Sequence, residues 1–259
     1  MKRFVDLSTS IESGLPVDPP AQIPAINYIS HKASAELFAN VFGCTQEELP
    51  EGNGWAVEFA NISTHAGTHM DAPYHFYPTM NGGEPAWTID EVPLDWFMGP
   101  GVVLDCADLP DGYKLTVADV QERLAKLDHT LQPGDILLLR SGAASRWGSE
   151  AYLLAGCGVS KEATRWIIDQ GVHVMGTDGW SWDIPLPVEA EEFKRTHDTS
   201  VLWEAHRVGR EKAYCHIEKL GNLDQIPAVG ATVCCFPVKI HRASAGWTRV
   251  VAIVDEEER

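Results

Sequence analysis

An α/β layered protein, rich in strands and poor in helices, is the fold class this sequence predicts, and three observations carry the prediction. Seven short runs are dense in aliphatic and β-branched residues, only two segments combine helical apolar spacing with capping residues, and turn residues punctuate the chain between them. The strand candidates are residues 4–7, 55–62, 101–104, 135–139, 172–177, 232–238 and 249–254. Pro133, Gly134 and Asp135 make a turn straight into ILLLR, the punctuation expected before a central strand.

The first helix candidate, residues 116–127, reads TVADVQERLAKL. Thr116 stands at the cap, and Val117, Val120, Leu124 and Leu127 fall on one face. The second, residues 160–171, reads SKEATRWIIDQG, with Ser160 as cap, Glu162 in the first turn and Gly171 as stop. Residues 21–54 hold prolines, glycines and charges without periodicity, and are expected to form an irregular, lid-like insert in a single domain spanning residues 1–259. No internal repeat or low-complexity tract interrupts this order.

A chain of 259 residues that is 44% hydrophobic and 22% charged can bury a substantial core. Its formal net charge of −17 argues against a nucleic-acid partner, because phosphate backbones are gripped by basic surfaces. The opening MKRFVDLSTSIESGLP has no apolar run of signal-peptide length and no later stretch approaches a membrane span, so the expected location is the cytoplasm, with no membrane partner. Six cysteines without CxxC spacing read as buried free thiols. Neither GxGxxG nor GxxxxGK[ST] occurs, so no phosphate cradle is visible.

Residues 63–76, STHAGTHMDAPYHF, concentrate the chemistry. His65 and His69 are four apart, but Gly67 between them and Pro73 beyond disfavour a helix. In an extended segment His69 and Asp71 point to one side, and a bend at Gly67 brings His65 round to them. Imidazole and carboxylate are the usual ligands of zinc and manganese, and a shared divalent cation would offset the cost of clustering them. His75, four residues past Asp71, is near enough to serve such a site without being a ligand.

HAGTHMDAPYH resembles the HxGTHxDxPxH signature of the metal-dependent cyclase family, which includes bacterial kynurenine formamidases and isatin hydrolases. The blocks VDLSTSI, VPLDWFMGPGVVLD, QPGDILLLRSG, GVHVMGTDGWSWD and HIEKLGNLDQIP extend the resemblance along nearly the whole chain. It implies a swivelling β/β/α fold, a homodimer or homotetramer, and a small-molecule substrate. It also implies that His65, His69 and Asp71 bind metal and that His75 handles protons. The formamidase pattern adds a second cation shared by Asp71 and held by a histidine and glutamate twelve apart, which His206 and Glu218 match here. His216, two before Glu218, competes with His206 for that role. One or two ions, Zn²⁺ or Mn²⁺, are therefore expected.

Asp178, Ser181 and Asp183 of GTDGWSWD are expected to bond a turn or support the ligands, and Trp55, Trp180 and Trp182 are candidates to stack on an aromatic substrate. The implied activity is hydrolysis of an amide C–N bond in a small linear or cyclic amide, as in N-formylkynurenine or isatin. Metal-dependent cyclisation or lactone chemistry on a polyketide-like substrate is the alternative, and a noncatalytic metal protein the third reading.

Overall fold

The computed structural model describes residues 1–255. Among them, nine strands form one mixed sheet: β1 (Lys2–Asp6), β2 (His69–Asp71), β3 (Met98–Asp105), β4 (Ile136–Arg140), β5 (Val174–Thr177), β6 (Cys215–Glu218), β7 (Val229–Cys234), β8 (Ala245–Trp247) and β9 (Val251–Asp255). Their spatial order is β1-β9-β7-β3-β4-β5-β6-β2-β8. The central four, β3 to β6, run parallel, and the flanking strands join antiparallel on both sides.

Among the described residues five helices accompany the sheet: α1 (Ala35–Phe42), α2 (Pro73–Phe76), α3 (Val117–Lys126), α4 (Lys161–Asp169) and α5 (Leu186–Thr196). The last three occupy the crossovers between successive parallel strands, which need connections of that length. Because both faces of the central strands are covered, β4 is apolar almost throughout rather than alternating. Leu137 and Leu139 pack with Val120, Leu124 and Ile167 under α3 and α4. Ile136 and Leu138 face the opposite way, into a second core with Leu7, Val233 and Ala252.

The expected runs at 4–7, 101–104, 135–139, 172–177, 232–238 and 249–254 correspond to β1, β3, β4, β5, β7 and β9, with ends shifted by a few residues. The run at 232–238 stops as a ladder at Cys234, since Pro237 has no N–H to donate and makes only an isolated bridge to Thr248. Residues 55–62 do form a strand, Val57–Asn61, but it pairs with Ala25–Ile29 in a separate ribbon. Residues 21–54 are accordingly not irregular throughout. They contain one ribbon strand and α1, whose Ala35 and Ala39 bury against Leu49 and Phe38.

Both anticipated helices are capped as expected: Thr116 Oγ1 accepts from Asp119 N at 3.3 Å, and Ser160 Oγ from Ala163 N at 3.2 Å. All six cysteines are free, and four of them are buried. Among the described residues, no helix is long and apolar enough to cross a membrane. One close contact links this frame to the site below. Gly158 pairs beside Lys114 and lies against the backbone of Asp183 and Ile184, where an added Cβ would collide. Gly158→Ala is therefore expected to destabilise the protein by about 1–3 kcal/mol, as overpacking does, read as a lower urea midpoint with unchanged slope.

Candidate metal centre

Two short strands bring the titratable residues together. β2 and β6 pair antiparallel, with Asp71 opposite His216 and His69 opposite Glu218. Side chains alternate along a strand, so Met70, Cys215 and Ile217 enter the core on one face while His69, Asp71, His216 and Glu218 share the other. On that face His216 lies against the rings of Phe76 and Tyr214, which seal it from solvent. Two cross-strand pairs thus place two imidazoles and two carboxylates side by side.

The remaining histidines arrive from turns. Gly67 adopts φ +61, a left-handed conformation that favours glycine, and an added Cβ there would meet Ile11 Cγ1 at 2.7 Å. Thr68 anchors the bend by donating to Lys219 O at 2.6 Å. His65 then reaches Asp71, its Nδ1 2.8 Å from Oδ1, while its Nε2 meets Ser244 Oγ at 3.0 Å. Pro73 opens α2 at its first position, where the missing N–H costs nothing, and this single turn sets His75 Nε2 3.9 Å from Asp71 Oδ2. His206 begins a short 3₁₀ turn, and its Nε2 stands 3.7 Å from Glu218 Oε1.

Hydrogen bonds behind the rings fix which nitrogen faces inward. His69 Nδ1 donates to Gly67 O at 2.8 Å, leaving Nε2 as the inward lone pair. His206 Nδ1 bonds the Asp183 carboxylate, which also accepts from Ala205 N at 2.8 Å and His206 N at 3.1 Å. Trp203, whose role no sequence motif announced, stacks on His206 with ring centroids 4.4 Å apart and planes 1° from parallel. Glu218 Oε1 accepts from Trp182 N at 3.3 Å.

Asp71 is the hinge of the cluster, because its two oxygens serve different neighbours. Oδ1 faces His65 and lies 3.3 Å from His69 Nε2, whereas Oδ2 lies 2.9 Å from His216 Nε2. Burial opposes ionisation of Asp71, yet the surrounding imidazoles of His75, His65 and His69 hold its carboxyl well below the usual range. Burial also opposes charge on His216, but Asp71 and Glu218 overcome it and push its pKa up to about 9. His75 responds oppositely: burial outweighs Asp71 and lowers it to about 4.

Despite these short approaches, His69 Nε2, both oxygens of Asp71 and both nitrogens of His216 lack an aligned hydrogen bond. Unmet buried polar groups cost about 1–3 kcal/mol each, so such a concentration calls for a common partner. Converging imidazole lone pairs and carboxylate oxygens are the donor set of a divalent cation such as Zn²⁺ or Mn²⁺, and the residues fit one. Two overlapping groups have ligand atoms at suitable spacing: Asp71, His206, His216 and Glu218, and His65, Asp71 and His75.

All six residues singled out from the sequence, His65, His69, Asp71, His75, His206 and Glu218, therefore meet in one place, and His216 joins His206 there instead of replacing it. Asp178 accepts from Ser141 N at 2.6 Å and Gly142 N at 3.1 Å, tying a turn at the end of β4. Ser181 is buried with Oγ unpartnered. Trp182 is wholly buried on Thr164, and Trp55 packs on Phe38 in the α1 region, so neither borders the cleft. Trp180 does. With Trp203, His65, His75 and Lys219 it lines a cavity of about 120 Å³ beside the cluster.

The Cyclase family model matches residues 5–184, a stretch that includes His65, His69, Asp71 and His75 and ends before His206. A kynurenine formamidase from Erythrobacter litoralis is 26% identical over 254 residues, covering 96% of this chain and 93% of the relative. An isatin hydrolase from Roseibium aggregatum is 24% identical over 221 residues, covering 79% and 77%. Among solved structures, an isatin hydrolase bound to the product analogue thioisatinate aligns with TM-score 0.76 at 20% identity, covering 98% of this chain and 93% of that one. Isatin hydrolase A from Labrenzia aggregata aligns with TM-score 0.75 at 25% identity, covering 98% and 94%. Matched by that model over most of its length, with the signature histidines and aspartate gathered on one face of a strand-rich α/β sheet, the chain belongs to the Cyclase family.

Proposed function

We propose that the chain is a metal-dependent amidohydrolase that cleaves the C–N bond of a small formamide or cyclic amide attached to an aromatic ring, of the N-formylkynurenine or isatin type. The single observation that carries this reading is Asp71, whose two oxygens face two sets of imidazoles beside a cavity that also admits His75. The names of the relatives, formamidase and hydrolase, support the same chemistry.

His65, His69 and Asp71 would hold one divalent cation, and Asp71, His206 and Glu218 a second, as Zn²⁺ or Mn²⁺. When bound, a divalent cation lowers the pKa of coordinated water to roughly 7 and polarises a carbonyl oxygen. The chain supplies the rest. Asp183 and Gly67 O aim His206 and His69, so that no reorientation is needed on binding. Burial keeps His75 neutral at physiological pH, leaving a lone pair to take the proton of the attacking water and return it to the departing nitrogen. Trp180 and Trp203 give the cavity apolar walls suited to an aromatic ring.

The family also lends its name to ring closure, and one experiment separates the two reactions. In heavy-oxygen water, metal-loaded protein acting on a formanilide or isatin is expected to place the label in the carboxylate product, and metal-stripped protein to give no turnover. An unlabelled product would favour cyclisation.

His75→Ala should lower kcat by about 10²–10⁴-fold with metal content unchanged. Loss of metal in that variant would instead make His75 a ligand. A pH dependence also follows. With its pKa raised to about 9 by Asp71 and Glu218, His216 of the metal-free protein is protonated at pH 7, and a cation that takes those two carboxylates displaces the proton they hold. Metal uptake at pH 7 is expected to release protons, and affinity to climb as pH rises toward 9. Titration calorimetry in buffers of different ionisation enthalpy measures both.

A further inference from the structure

His216 and His206 approach the same carboxylate from different elements, β6 and a 3₁₀ turn, so the two rings occupy different places. We propose that His216 is a ligand alongside Asp71, His206 and Glu218, closing one cation position with four protein side chains. The neighbouring position at His65, His69 and Asp71 Oδ1 keeps a coordination place open to the cavity. This inference rests on the cluster being a metal centre and not on the identity of the substrate.

Three observations carry it. Ligand atoms of Asp71, His206, His216 and Glu218 all lie within 4.8 Å of one another, the span of a single coordination shell. The four are also enclosed: Asp71 and His216 are 0% exposed, His206 1% and Glu218 7%, whereas the neighbouring position pairs His69, likewise 0% exposed, with His65, whose side chain is 21% exposed. Finally, His216 Nε2 stands 2.9 Å from Asp71 Oδ2 and 3.2 Å from Glu218 Oε1 yet is aligned on neither as a donor. Atoms that are close but not directed at one another are the geometry of donors converging on a shared centre.

Two imidazoles and two carboxylates suit a tetrahedral Zn²⁺ with no place left for water, which is the arrangement of a structural site. The ion there would hold Asp71 Oδ2 and Glu218 and so present Asp71 Oδ1 to the catalytic position. It would leave the protein slowly, because four protein ligands must be released, two of them, Asp71 and His216, buried behind the His206 and Glu218 that border the cavity. The neighbouring ion, bordered by half-buried His65, would exchange readily.

The test counts zinc. Metal-stripped protein is reloaded with two equivalents, placed in excess chelator, and sampled over time by mass spectrometry. Wild type is expected to lose one equivalent quickly and the other slowly, and His216→Gln to lose the slow equivalent altogether. Simultaneous loss of both from wild type, or a slow equivalent persisting in His216→Gln, overturns the assignment. Should the variant fail to fold, cobalt titration of wild type decides. An intense four-coordinate visible spectrum for the tightly held ion supports the closed site, and a weak six-coordinate one overturns it. Formanilide hydrolysis measured on the same wild-type samples keeps the two readings apart, since inactivity with both ions bound counts against the hydrolase and leaves the ligand count standing.

Discussion

Pairing of His69–Asp71 with Cys215–Glu218 is the interaction on which the site depends. Neither strand has a reason of its own to exist: each is short, each carries two ionisable side chains, and strand propensity does not favour them. Backbone hydrogen bonds to central strand β5 on one side and edge strand β8 on the other hold them in the sheet. The antiparallel register then does the chemical work. A slip of one residue would turn His216 and Glu218 into the apolar core and bring Ile217 to the metal face.

Holding this crowd of charge in place is costly, and the structure offsets the cost locally. Asp183 backs His206, Gly67 O backs His69 and Ser244 backs His65, so three of the imidazoles have their outer nitrogen satisfied. Beneath them, buried Lys219 pairs with Asp18 and donates to His65 O at 2.8 Å, giving the bend at Gly67 a fixed floor. The side chain of His75 packs on the rings of His65 and Trp203, and its approach to Asp71 is a long one. A ring whose Nε2 is not held short by a carboxylate suits a group that must exchange protons, whereas a ligand benefits from being aimed.

The scaffold divides its labour. Parallel strands β3 to β6 bury one aliphatic core under α3 and α4 and share a second with antiparallel β1, β7 and β9, and the ionisable residues gather where antiparallel β2 joins that block. Elements legible in the sequence were those whose stability is local: apolar runs such as ILLLR, and helices with Thr116 and Ser160 as caps. Strands β2, β6 and β8 escaped a propensity reading because three or four residues, two of them ionisable in β2 and in β6 and one a glycine in β8, carry too little pattern. Helix α1 was missed for a related reason, since it packs only against its own small cluster beyond the main cores.

Sequence alone determined which side chains take part in the chemistry. The spacing of His65, His69, Asp71 and His75, with Gly67 and Pro73 shaping the chain between them, is a local property, because only extended backbone and one bend are needed to bring them together. What only the tertiary structure decided is how residues some 140 positions further on complete the set. Spacing along the chain made His206 and His216 rivals for one role, and three-dimensional placement makes them neighbours. The reason is register: a ladder between distant strands sets which face each residue takes, and no local pattern encodes its partner across the sheet.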